Sequence, residues 1–338
     1  MVRTVRRSLT AAAAVAALLT LAACSGDAAA TDDATPQPGA SAEADAETGT
    51  WPRTVEHESG TAEIPEQPLR IVSTSLTLTG TLLAIDAPVI ASAATSPSPM
   101  TDDQGFFSQW ADVAAERGVE VLYPNLELDL EAVELAEPDL IIGSTIGADA
   151  TVEAYDQLSE IAPTIMLDYG SHSWQELAAV LGEATGLEES AAAVVADFDA
   201  SLAEAATQIT LPAQPTSLLV YNGADGVNIF SATSSQAQVL TGLGFEYREG
   251  PAELAATTRS DVATFTPENS AAALRDSGTA LLVPLGGSSV DAFSADPLLA
   301  NLPAITGDSV VEVPPTAFRM DFFSATELVD FLVATFGA

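Results

Sequence analysis

Every cation in this 338-residue chain is an arginine, because the sequence contains no lysine. Ten Arg stand against 48 Asp and Glu, a formal charge of −38. In so acidic a chain, a guanidinium set among apolar residues marks a place where an anionic or polar ligand could be held by charge-assisted hydrogen bonds. Arg319 is the clearest instance. The run Phe318-Arg319-Met320-Asp321-Phe322-Phe323 would desolvate it, while Asp321 offers an ion-pair partner as the plainer use. Arg259, like Arg319, falls in a segment read as a loop facing the cleft, and Arg248 is a further candidate for ligand binding. Arg70 begins a strand and Arg275 lies late in a helix, where each has a structural use. Among aromatic residues, Phe106, Phe107 and Trp110 follow a loop with Pro97 and Pro99. They would form either a lip over a planar ligand or part of the core. Tyr221 ends a strand and is expected to face a cleft, with Tyr123 and Tyr169 as further candidates.

Other chemistries have little to work with. One Cys excludes an intramolecular disulfide and a cysteine-rich zinc site. Two His, His57 and His172, leave little for a haem ligand or a zinc or manganese site, so no metal site and no resident cofactor are expected. The sequence has no G-x-S-x-G elbow, H-E-x-x-H, P-loop or G-x-G-x-x-G, and no residue is assigned a catalytic role. The reading is therefore a binding protein and not an enzyme, with a hydrolase or a surface protein-interaction module as the alternative classes. The acidity disfavours nucleic acid.

The single Cys has a specific place. Arg3, Arg6 and Arg7 precede an apolar run from Leu9 to Ala23, which is shorter than the roughly 20 residues of a spanning helix. The run ends Leu21-Ala22-Ala23-Cys24, similar to a bacterial lipoprotein signal in which the Cys becomes the acylated terminus. Residues 1–23 are read as the signal peptide, exported by either the general secretory or the twin-arginine route. Cys24 is read as a lipid anchor at the outer face of the cytoplasmic membrane. Residues 24–50, without apolar periodicity, are read as a disordered tether. With that leader removed, seven Arg remain against all 48 acids.

From Trp51 onward, short apolar runs alternate with helical patterns, as in parallel α/β packing. Strands are expected at 69–73, 87–91, 140–143 and 164–167, with helices at 78–85, 129–136 and 155–161. One longer helix follows. Ala191, Val194, Val195, Phe198, Leu202, Ala205 and Ile209 recur at spacings of three and four. A second α/β set begins with the strand 217–221 and ends with a helix over 325–336. The architecture expected is a lobe over 51–186, a linking helix over 187–210 and a lobe over 211–338, with a ligand cleft between the lobes. The lobes share an echo. Asp129-Leu130-Glu131 and Thr266-Pro267-Glu268 each open a helix, so Glu131 and Glu268 occupy the same helical position.

At these residues a resemblance becomes specific. Asp129-Leu130-Glu131-Ala132-Val133, then Glu137-Pro138-Asp139-Leu140-Ile141-Ile142, resembles a signature of substrate-binding proteins of bacterial iron–siderophore and cobalamin ABC importers. Tyr155 to Thr164 and Asp296-Pro297-Leu298 through Val310 fit the same family. The resemblance implies two α/β lobes on one long helix, a ligand in the cleft and no covalent chemistry. It also implies that Glu131 and Glu268 dock into arginine pockets of a permease dimer; complementing a helix dipole is their simpler use. The ligand implied is a ferric siderophore, or cobalamin or haem in the same family, bound by a monomer. Net charge favours a hydroxamate-type complex, because an acidic body repels a trianionic catecholate at long range.

Overall fold

The computed structural model describes residues 50–337. The signal segment, Cys24 and the tether up to residue 49 lie outside the described residues. The body opens with an antiparallel hairpin, β1 (Arg53–His57) and β2 (Gly60–Ile64), which the sequence reading missed.

The first sheet holds β3 (Ile71–Ser73), β4 (Val89–Ser92), β5 (Glu120–Val121), β6 (Leu140–Ser144) and β7 (Thr164–Leu167). Its order is β5-β4-β3-β6-β7 and every pairing is parallel. β3, β6 and β7 are buried at every residue, as continuous apolar runs covered on both faces require. Sequence neighbours diverge on either side of β3 and β6, which lie side by side. The carboxyl ends of such a pair form a crevice, and the loops that follow β3 and β6 border it.

The second sheet holds β8 (Thr216–Tyr221), β9 (Val227–Phe230), β10 (Thr257–Thr258), β11 (Val262–Phe265), β12 (Thr279–Leu282) and β13 (Val310–Glu312). Its order is β10-β11-β9-β8-β12-β13. β8, β12 and β13 run parallel, and β9, β11 and β10 pair antiparallel.

The linking helix spans Glu188–Ala206, about 28 Å. It stops short of the expected residue 210. Ile209 instead forms a β-bridge with Gly337, and the Thr210 amide donates to the Phe336 carbonyl. The last helix, Phe322–Phe336, starts three residues earlier than the periodicity suggests. Asp321 caps it, accepting from the Ser324 amide at 2.9 Å while Ser324 Oγ takes the Asp321 amide. This helix packs on the linking helix, on 76–84 and 108–117 of the first lobe and on 235–242 of the second. It is therefore not the property of one lobe. Trp174, Phe198, Leu218, Val239 and Leu328 belong to one continuous buried cluster. A shared core behind the cleft limits relative motion of the lobes to small shear or rocking.

Candidate functional site

A short 3₁₀ segment, Pro315–Phe318, follows β13 and carries Phe318 and Arg319, which lie beside residues of both lobes. These two residues border two cavities. One, of about 320 Å³, is lined toward the first lobe by Leu76, Met100, Phe107, Leu126 and Asp149. The other, of about 300 Å³, is lined toward the second lobe by Asn228, Phe230, Thr257, Arg259 and Asp261. The first is mainly apolar; the second is polar. Asn228 Oδ1 is buried there without a hydrogen-bond partner.

The arginines sort by their partners. Arg53 pairs with Glu188 at the start of the linking helix, and Arg117 pairs with Asp86. Arg70 donates to the Ala136 and Glu137 carbonyls at the end of a helix, a structural use that its place before β3 did not specify. Arg275 lies 3.6 Å from Asp276. Arg248 is exposed in a surface groove with Arg275 and Glu249, apart from both cleft cavities. Its backbone, not its side chain, is tied in, through Thr216 and Ser217. Arg259 lines the second cavity but pairs with Asp261 through Nε–Oδ1 at 3.0 Å and Nη2–Oδ2 at 2.7 Å.

Arg319 differs from these in its place. Like Arg70 and Arg248 it makes no ion pair among the described residues, but it alone of the three borders the cleft cavities. The Asp321 partner suggested by sequence is turned away and buried as the helix cap. Instead the guanidinium lies 4.1 Å above the Phe318 ring centroid and 5.5 Å from that of Tyr169. Aromatic faces hold a cation without neutralising it. Arg319 therefore keeps its charge and most of its hydrogen-bonding capacity for an incoming group.

Tyr169 is itself fixed. Its hydroxyl donates to Asp149 Oδ1 at 3.0 Å. Asp149 also accepts from Ser75 Oγ at 2.7 Å and the Thr77 amide at 2.9 Å, at the start of the helix Leu76–Ala84 that follows β3. Burial, with the Asp149 charge beside it, raises the Tyr169 phenol well above its usual value, so it remains a neutral donor. The loop after β6 approaches closely at Gly147, where φ is +85° and a Cβ would collide with the Tyr169 hydroxyl.

The remaining aromatic expectations are corrected by burial. Trp110 and Phe106 are fully buried and pack on one another at 5.3 Å, so they are core; Phe107 alone of that cluster reaches the cavity. Tyr123 is buried with its hydroxyl on the Thr74 carbonyl. Tyr221 faces the wrong side. Strand alternation sends Val220 to the cavity, and the Tyr221 ring packs on Phe293 with its hydroxyl on Asp296 Oδ2 at 2.8 Å. Burial and Asp296 push its phenol up to about 12. Met100, Asp149 and Phe318 were missed, because loops and a short 3₁₀ turn carry no periodicity; Asn228, inside β9, was missed because its polar side chain sits in an otherwise apolar strand.

Glu131 and Glu268 are exposed, each at the second residue of its helix, Leu130–Leu135 and Pro267–Leu274. Asp129 caps the first helix by accepting from the Glu131 and Ala132 amides. Hydrogen bonds from its own amide and from Thr266 hold the Glu268 carboxyl below the usual range, which keeps it ionised.

Comparison with known proteins agrees with this arrangement. A family model described as periplasmic binding protein matches residues 71–317. The ferric enterobactin-binding periplasmic protein of Escherichia coli is 46% identical over 293 residues, covering 85% of this chain and 91% of that one. The crystal structure of holo-ViuP superposes with a TM-score of 0.79 at 38% identity, covering 86% of this chain and 96% of the other. The Streptococcus pneumoniae PiaA complex with ferrichrome shares the fold at a TM-score of 0.68 and 19% identity, over 83% of this chain and 97% of that one. With its two sheets, linking helix and intervening crevice, the chain belongs to the periplasmic binding protein family.

Proposed function

We propose that this protein captures a ferric siderophore outside the cytoplasm and delivers it to an ABC importer, without covalent chemistry of its own. The observation that carries this reading is Arg319, an uncompensated guanidinium held on aromatic faces between two cavities that open from one crevice. The pair of cavities suits a bulky complex with planar arms. Apolar residues would take the arms, and Arg319 would take negative charge on the metal-binding oxygens.

For the siderophore class we favour a catecholate such as ferric enterobactin over the hydroxamate suggested by net charge. The relative at 46% identity is named for ferric enterobactin. The charge of distant surface acids is screened beyond about 8–10 Å in salt, whereas Arg319 acts at contact. Arg259 lines the second-lobe cavity with its charge already paired to Asp261. Glu131 and Glu268, one on each lobe, suit bidentate pairing with arginines of a two-subunit permease. Cys24 is the anchor that would keep the protein at the membrane.

Quenching of tryptophan fluorescence by ferric enterobactin tests the reading. Saturable quenching is expected. No response to ferric enterobactin, ferrichrome, cobalamin or haem would refute it.

A further inference from the structure

The turn between β10 and β11 carries an opposed pair of charges into the cleft. Arg259 grips Asp261 at two points, 3.0 and 2.7 Å. The two partners are unequally placed. The Arg259 side chain is 53% exposed, whereas that of Asp261 is 12% exposed. Asp261 borders the second-lobe cavity and also the narrow space between Tyr169 and Arg319. It is thus a carboxylate built into the wall of a cavity whose other charged residues are Arg259 and Arg319. The Arg259–Asp261 pair is neutral as a unit, so the cavity presents one net positive charge where two arginines line it.

We propose that Asp261 is a specificity-determining residue that sets the charge selectivity of the cleft, by neutralising Arg259 and leaving Arg319 as the cation offered to the ligand. The proposal rests on the ferric-siderophore reading above. Its consequence is that an anionic complex is held below the affinity that two free guanidiniums would give. Asn at this position keeps an acceptor for Arg259 Nε while removing the charge. Removing a unit negative charge from a partly dry wall should tighten a trianionic complex roughly tenfold at low salt, and salt should erode the gain.

The test is fluorescence titration of the wild type, D261N and the double variant R259Q/D261N with ferric enterobactin at about 0.05 M and about 0.5 M NaCl. D261N is expected to bind roughly tenfold tighter at the lower salt and to converge on the wild type at the higher. The double variant, which deletes the pair as a neutral unit, should return to within about twofold of the wild type at both. Unchanged or weaker binding by D261N, or a gain that salt does not alter, would overturn the proposal while the functional reading stands. A wild type that binds no ferric enterobactin would overturn both. Should D261N fail to fold, R259Q carries the test from the exposed side. It leaves Asp261 uncompensated and should weaken binding roughly tenfold at low salt; no loss would contradict the proposal.

Discussion

Tyr169 and Arg319 meet across the crevice from opposite lobes, with the guanidinium 5.5 Å from the ring centroid. Each is positioned by a different part of the chain. The Asp149 carboxylate anchors the Tyr169 hydroxyl, and the capped start of the last helix sets the segment that carries Arg319. The site is thus assembled only when the C-terminal helix has packed back on the first lobe.

Changing Tyr169 to Phe removes the bond to Asp149 but keeps the aromatic face. The buried carboxylate retains its Ser75 and Thr77 donors, so a loss of about 1 kcal/mol of stability is expected. Binding of ferric enterobactin should change less than twofold or so, since the cation–π contact survives. Tyr169→Ala should lower affinity further. Urea unfolding and fluorescence titration of the two variants separate the effects.

Gly147→Ala places a Cβ against the Tyr169 hydroxyl at a φ of +85°. A cost of about 1–3 kcal/mol is expected from the backbone alone, with displacement of Tyr169 added to it. Urea unfolding gives the stability change. A variant as stable as the wild type would show that this loop is not held as described.

Asp321 predicts a pH dependence. It is 2% exposed, and burial raises its carboxyl from 3.8 to about 6 despite bonds from Ser324 and Gln109. A group whose folded-state value is raised stabilises the fold by binding a proton. That contribution is complete below about pH 4 and is lost as the pH rises through about 6. Above that range the fold carries a buried carboxylate, at a cost of roughly 3 kcal/mol. Asp321→Asn keeps a competent helix cap without the charge. Relative to the wild type, the variant should gain stability between pH 4.5 and pH 7.5, as measured by urea unfolding at both. An equal difference at the two pH values would contradict the assignment.

Glu131→Ala and Glu268→Ala remove exposed carboxylates on helix first turns. Each should leave ligand affinity unchanged and reduce importer-dependent uptake of ferric enterobactin in cells. Lost binding would instead place these residues in ligand recognition.

Much of the framework is legible in the sequence, for identifiable reasons. The strand Thr164–Leu167 and the helix Tyr155–Ile161 coincide with their apolar runs. Asp129 caps its helix through its side chain, and Pro267 opens the other at the first helical position. The helix Trp174–Thr185 was missed although its capping box, Ser173 with Glu176, is written in the sequence. The site was harder to read. Strand β8 is buried on both faces, so alternation could not say whether Val220 or Tyr221 meets the cleft. Which arginine stays uncompensated depends on the β10–β11 turn bringing Arg259 to Asp261, while the helix cap draws Asp321 away from Arg319. Neither outcome is contained in residue type or spacing.

The central claim is that Arg319 supplies the charge that holds an anionic ferric complex. Titration of the wild type and Arg319→Gln with ferric enterobactin tests it most directly. A desolvated charge-assisted contact of about 1.5–3 kcal/mol predicts roughly 10- to 150-fold weaker binding by a variant that unfolds at the wild-type urea midpoint. Equal affinity in the two proteins would contradict the account.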